Sequence, residues 1–213
     1  ILLTFSAVLK SAVSDKLLAA NVADDILRNT DKIKYKPSEK RPLTPAEKKA
    51  VFDATYKYDS DQAYVYLIYG CGLRREECVA LTIFDFNFKK REVSVSKAYE
   101  YITNTPGVKD PKSSNGIRTI PIPSKILPVV QSYVESVKHS GRTQLFVTMR
   151  DKKPLTKSAY DKMWMRIVES MQAVCKEDIV GLTGHVFRHN YCSSLCYQIP
   201  RVSIKRIAQL LGD

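Results

Sequence analysis

Two segments of this sequence gather residue types suited to handling a phosphate. The first runs Gly70-Cys71-Gly72-Leu73-Arg74-Arg75-Glu76-Glu77-Cys78-Val79-Ala80-Leu81. Paired glycines let the backbone turn tightly and approach a ligand closely. A guanidinium just past such a turn, near a helix start, is permanently charged and offers phosphate oxygens a bidentate fork. Glu77 follows Arg74 at i,i+3, the spacing at which one side chain can hold the other on a helix. A surface helix with ordinary ion pairs has the same composition, so this segment alone leaves both readings open. The second segment is Thr183-Gly184-His185-Val186-Phe187-Arg188-His189-Asn190-Tyr191. His185 and Arg188 share a face near a helix N-terminus, an end that favours anions through its free amides and dipole. A histidine moves protons near neutral pH, and an arginine neutralises a developing oxyanion. A capping or core histidine is the plain alternative. His185 and His189 also have the i,i+4 spacing of a zinc pair. However, Val186 stands where a metalloprotease has its glutamate base, so no metal is expected. Cys192 and Cys196, four apart, do not fill a tetrahedral site either and are read as core thiols.

The elements that must position these groups follow from periodicity and punctuation. Apolar residues at Leu2, Phe5, Leu9 and Val13 have helical spacing, so residues 1–29 read as one or two helices. Residues 30–43 are lysine-rich with Pro37 and Pro42, the composition of an exposed linker. Thr44-Pro45-Ala46-Glu47 is a capping box with proline at the first helical position, so a new helix starts there. Helices are expected at about 45–57, from about 60, and at 74–81. The period then changes: residues 92–96 alternate and 118–122 are β-like. The polar stretch from Thr103 to Gly116 between them reads as a hairpin tip. Further helices are expected at 124–138, 156–174, 184–197 and 201–211. The fold class is mainly α with a small antiparallel β-sheet.

Composition bounds the function. The 213 residues carry 34 Lys and Arg against 22 Asp and Glu, a formal charge of +12. That excess suits a polyanion, nucleic acid first, although a solvated basic surface gives the same sum. With 44% hydrophobic residues the chain is not disordered, and it has no apolar run long enough to span a membrane. Five cysteines without a C-x-x-C pair suit a reducing compartment.

Together the two segments resemble the catalytic domain of the tyrosine recombinases, the phage-integrase family. The arginine motif of that family is matched by Gly72-Leu73-Arg74-Arg75-Glu76-Glu77, and its H-x-x-R-H motif by His185-Val186-Phe187-Arg188-His189. A hairpin lysine, Lys112, precedes Arg118-Thr119-Ile120-Pro121, as the family pattern requires. The wording of the motifs is similar to integrases of Gram-positive conjugative transposons. The resemblance implies that a tyrosine attacks the scissile phosphate, giving a 3′-phosphotyrosyl link and a free 5′-hydroxyl, with no metal or other cofactor. Arg74 and Arg188 would clamp the phosphorane-like state, Lys112 would protonate the leaving oxygen, and His185 would assist. Glu77 and His189 would support them. Lys109, Arg118, Arg142, Arg150, Lys152 and Lys153 are expected to touch DNA phosphates.

Two departures accompany the resemblance. Asp213 stands where the family has a histidine or tryptophan, and a carboxylate repels an unshielded phosphate. No tyrosine of this sequence occupies the place expected for the nucleophile. The expectation is therefore a remnant of a helical core-binding domain at 1–29, a linker at 30–43, and a catalytic domain at 44–213 without its tyrosine segment. Such a chain, cut at both ends, is expected to bind DNA without cleaving it and to be monomeric. The intact protein is expected to work in the cytoplasm as a tetramer on double-stranded DNA. The alternatives are a non-catalytic basic DNA-binding module and a strand transferase similar to type IB topoisomerases.

Overall fold

A computed structural model describes residues 2–24, 41–109 and 116–212. Lys112, Asp213 and residues 30–40 of the expected linker lie outside the described residues, as do residues 25–29. The chain packs as two compact units, residues 1–39 and 40–213.

In the first unit, α1 (Leu2–Ser14) carries Ser6, which is 4% exposed. The Asn21 amide donates to the Ser6 carbonyl at 3.2 Å, to its hydroxyl at 3.1 Å and to Asp24 at 3.2 Å. One side-chain amide thereby closes the turn after α1 over the buried Ala23.

In the second unit the helices begin where the sequence supplies caps. Thr44 and Glu47 form the reciprocal capping box of α2 (Pro45–Asp53). Thr156 and Ser203 accept from the backbone N–H groups of Ala159 and Arg206 at the starts of the helices that begin at Lys157 and Ile204. Each such cap satisfies an N–H that the helix leaves unpaired. Residues 41–43 correct the expected linker. Leu43 is 2% exposed, and Arg41 grips buried Glu47 through two bonds of 2.6 and 2.7 Å while donating to the Val180 carbonyl.

The central helix is α3 (Asp59–Cys71), with Tyr64, Val65, Leu67 and Ile68 fully buried. It packs against α5 (Leu127–His139), α6 (Lys157–Gln172) and α7 (Gly184–Cys196), once α4 (Arg75–Val79) is counted. The Tyr64 ring meets Phe146, Tyr160 and Trp164 edge-on at 5.5–6.3 Å, and its hydroxyl bonds that of Tyr160 at 3.1 Å. The last helix, α8, is Ile204–Leu211.

The β structure has two parts. Strands β1 (Phe86–Asn87), β2 (Glu92–Val95) and β5 (Arg118–Pro121) form an antiparallel sheet in the order β1-β2-β5, with Val93 opposite Ile120 and Val95 opposite Arg118. A separate hairpin joins β3 (Ala98–Ile102) to β4 (Thr105–Lys109), with Tyr99 opposite Val108. The polar composition from Thr103 to Gly116 predicts only a hairpin tip there, whereas β4 runs through Pro106 and Gly107, residues disfavoured in strands. Proline is tolerated because this two-stranded pair has open edges.

Candidate active site

Arg74 is placed by a backbone that glycine makes possible. Helix α3 ends at Gly72, whose φ of 61° is left-handed. A Cβ built there would lie 2.1 Å from Cδ1 of Tyr191. Gly72→Ala thus meets both backbone strain and the Tyr191 ring, and is expected to cost roughly 2–4 kcal/mol in urea unfolding. The Gly72→Ala/Tyr191→Ala pair should cost less than the sum of its parts. Tyr191 is half-buried against this turn, and burial pushes its phenol up to about 12.

After the turn, Leu73 anchors in the core and Arg74 stands at the N-cap of α4. The Arg74 backbone N–H donates to Glu77 Oε2 at 2.8 Å, and its Nη1 donates to Oε1 at 2.9 Å. Arg118 approaches the same carboxylate from the sheet, Nη1 to Oε1 at 2.9 Å and Nη2 to Oε2 at 2.7 Å. Burial pushes the Glu77 carboxyl up. The Arg118 pair, with the Arg74 bonds, outweighs it and holds the group below the usual carboxylate range.

The carbonyls at the end of α8 gather arginines from three elements. Arg118 Nε donates to Leu210 O at 2.9 Å, Arg188 Nη2 to Leu211 O, and Arg74 Nη2 to Gly212 O at 3.5 Å. A helix C-terminus presents unpaired carbonyls and the negative end of its dipole, so cations collect there. Arg188 also donates from Nη1 to the Gly72 carbonyl at 3.0 Å. The two arginines from the two sequence motifs therefore converge on one place, where the turn after α3 meets the end of α8. His185 lies one turn before Arg188, exposed in the first turn of α7, and His189 is half-buried.

A cavity of about 690 Å³ opens beside Arg74. Arg74, Arg75, Lys97, Lys109 and Lys157 line it against Glu76, Glu77 and Glu100, so cations prevail. Lys109 is held by Glu100 at 2.5 Å across the hairpin. Lys97, which pairs with Asp85 at 3.4 Å, and Lys157 escaped the sequence reading. Only the hairpin fold brings them to Arg74, and their local sequence gives no sign of it. Arg150, Lys152 and Lys153 are exposed on the turn closed by the Val147–Pro154 bridge. Arg150 and Lys152 line a second cavity of about 450 Å³ with Arg142, Lys162 and Arg166. That cavity shares no lining residue with the first.

Two sequence expectations need correction. Arg118, assigned there to a DNA phosphate, is 8% exposed and spends its donors inside the protein. The cysteine pair is not wholly in the core, because Cys196 is exposed, whereas Cys71 and Cys78 are buried. Among the described residues no three His, Cys, Asp or Glu side chains are grouped to hold a metal ion. None of the described helices is long and apolar enough to cross a membrane.

The model of the phage integrase family matches residues 41–212. The chain belongs to the phage integrase family. A XerC-like tyrosine recombinase of Caldanaerobacter subterraneus subsp. tengcongensis is 32% identical over 169 residues, which cover 71% of this integrase-family chain and 42% of that protein. The tyrosine recombinase XerA of Pyrococcus furiosus is 29% identical over 173 residues, covering 81% and 53%. The chain spans about half the length of the curated relatives it matches. Among solved structures, the Tn1549 transposon integrase in complex with transposon right-end DNA superimposes with a TM-score of 0.77 at 24% identity, over 98% of this chain and 68% of that one. The XerA recombinase gives 0.61 at 20% identity, over 87% and 58%. These likenesses show the fold.

Proposed function

We propose that residues 41–213 belong to the catalytic domain of a site-specific DNA recombinase of the conjugative-transposon integrase kind, with residues 1–29 from a core-binding domain and 30–40 joining the two. The convergence of Arg74 and Arg188 on the end of α8, with a cation-lined cavity beside Arg74, carries this reading. In strand cleavage a tyrosine oxygen attacks phosphorus, the P–O5′ bond breaks, and charge gathers on the non-bridging oxygens. Two preorganised guanidiniums meet that charge at the moment it forms. His185 serves proton transfer, and Lys112 delivers the proton to the departing 5′-oxygen. The substrate is duplex DNA, held by Lys109 and Lys97 near the scissile phosphate and by Arg142, Arg150, Lys152 and Lys153 farther away. The complete protein acts as a tetramer in the cytoplasm.

The 213 residues by themselves are proposed to bind DNA without cleaving it. The tyrosines near Arg74 are engaged elsewhere: Tyr191 packs on Gly72, Tyr101 donates to the Leu155 carbonyl at 3.1 Å, and the Tyr99 hydroxyl accepts from the Gln144 amide at 3.0 Å. A nicked suicide duplex tests both statements. The protein from its complete reading frame should form a covalent 3′ adduct that Arg74→Ala abolishes, while the 213-residue chain should bind and form none. An adduct on the 213-residue chain, or an undiminished one with Arg74→Ala, would sink this reading.

A further inference from the structure

Arg118 lies almost wholly out of solvent, its side chain 4% exposed. It begins strand β5, yet its head group reaches two other elements, α4 through Glu77 and α8 through Leu210. A carboxylate offers about four acceptor positions. Arg118 and Arg74 each fill one on either oxygen of Glu77. Glu77 is therefore saturated and cannot turn without breaking bonds to both arginines.

We infer that Arg118 is a positioning residue for strand cleavage, holding Arg74 through Glu77 and the end of α8 through Leu210. The inference rests on the recombinase reading above. The Arg118 fork fixes the carboxylate plane, and that plane fixes the backbone and head group of Arg74. Arg118 itself is almost closed to solvent and its donors are engaged inside the protein, so it acts without touching the duplex.

The test uses the protein from its complete reading frame, measuring single-turnover cleavage of a nicked suicide duplex and equilibrium affinity for the same DNA. Arg118→Met is expected to slow cleavage about a hundredfold, the scale of an ångström-sized misplacement. Duplex affinity should stay within about threefold, since no phosphate contact is lost. Because Arg118 acts through Glu77, Arg118→Met/Glu77→Gln should lose little more cleavage than the larger of the two single losses. Arg118→Lys keeps the charge and decides the matter if Arg118→Met fails to fold; its loss should be smaller than about tenfold. A double variant whose loss is the product of the two single losses would overturn the inference. So would an Arg118 variant, Met or Lys, that weakens affinity and cleavage by equal factors. Arg74→Ala and Arg188→Ala separate the two levels: if both cleave at the wild-type rate, the recombinase reading itself has failed.

Discussion

Arg188→Ala is expected to lower strand cleavage by about 10²–10³ or more, the scale of losing a preorganised donor to a transition-state oxyanion. Duplex affinity should change far less, because one phosphate contact among many is removed and the log–log salt slope falls by about one. Arg188 is fixed by the Gly72 carbonyl and the Leu211 carbonyl, so its head group is aimed before DNA arrives. Preorganisation of that kind acts on the transition state rather than on binding. Arg188→Lys supplies the control. It keeps the charge and loses the planar fork that spans two carbonyls, so it should resemble alanine in cleavage more than wild type. Single-turnover cleavage with anisotropy titration on the same duplex checks both parts.

The second large effect concerns stability. Glu77→Ala leaves Arg118 buried without its partner and removes the Arg74 N-terminal bonds, and breaking such a buried pair costs about 3–5 kcal/mol. Glu77 is 6% exposed, so solvent gives little relief. The same carboxylate predicts an acid response. Its folded pKa is depressed below the ordinary 4.5. Its contribution is therefore complete above about pH 4.5 and is lost as pH falls toward the lower native value. Urea unfolding between pH 7 and pH 3 should show the wild type losing stability in the acid range. Glu77→Gln should be weaker at neutral pH and flatter below 4.5.

Much of the frame was legible because it is local. Thr44-Pro45-Ala46-Glu47 announced a helix start within four residues, and the alternation at 92–95 announced a strand. Gly72 marked the end of α3, though the helix runs through Gly70 and Cys71 before it stops. The β3–β4 hairpin was illegible because Pro106 and Gly107 carry the wrong local preference, which pairing with Tyr101 and Glu100 overrides. Arg118 shows the same limit at the site. Beside a strand it has the composition of a surface contact. Its burial depends on Glu77, 41 positions upstream, and on Leu210, 92 positions downstream. No window of sequence contains all three. The motif arginines were legible by type and spacing, whereas their shared hold on the end of α8 is a tertiary fact.

The central claim is that Arg74 and Arg188 together hold one scissile phosphate. A structure of this chain bound to a duplex carrying its cleavage site tests it most directly. The account predicts a single phosphate with non-bridging oxygens within hydrogen-bond distance of both guanidiniums, with Glu77 still joined to Arg74 and Arg118. A duplex that places no phosphate within reach of either guanidinium, and runs instead along Arg142, Arg150 and Lys152, would contradict it.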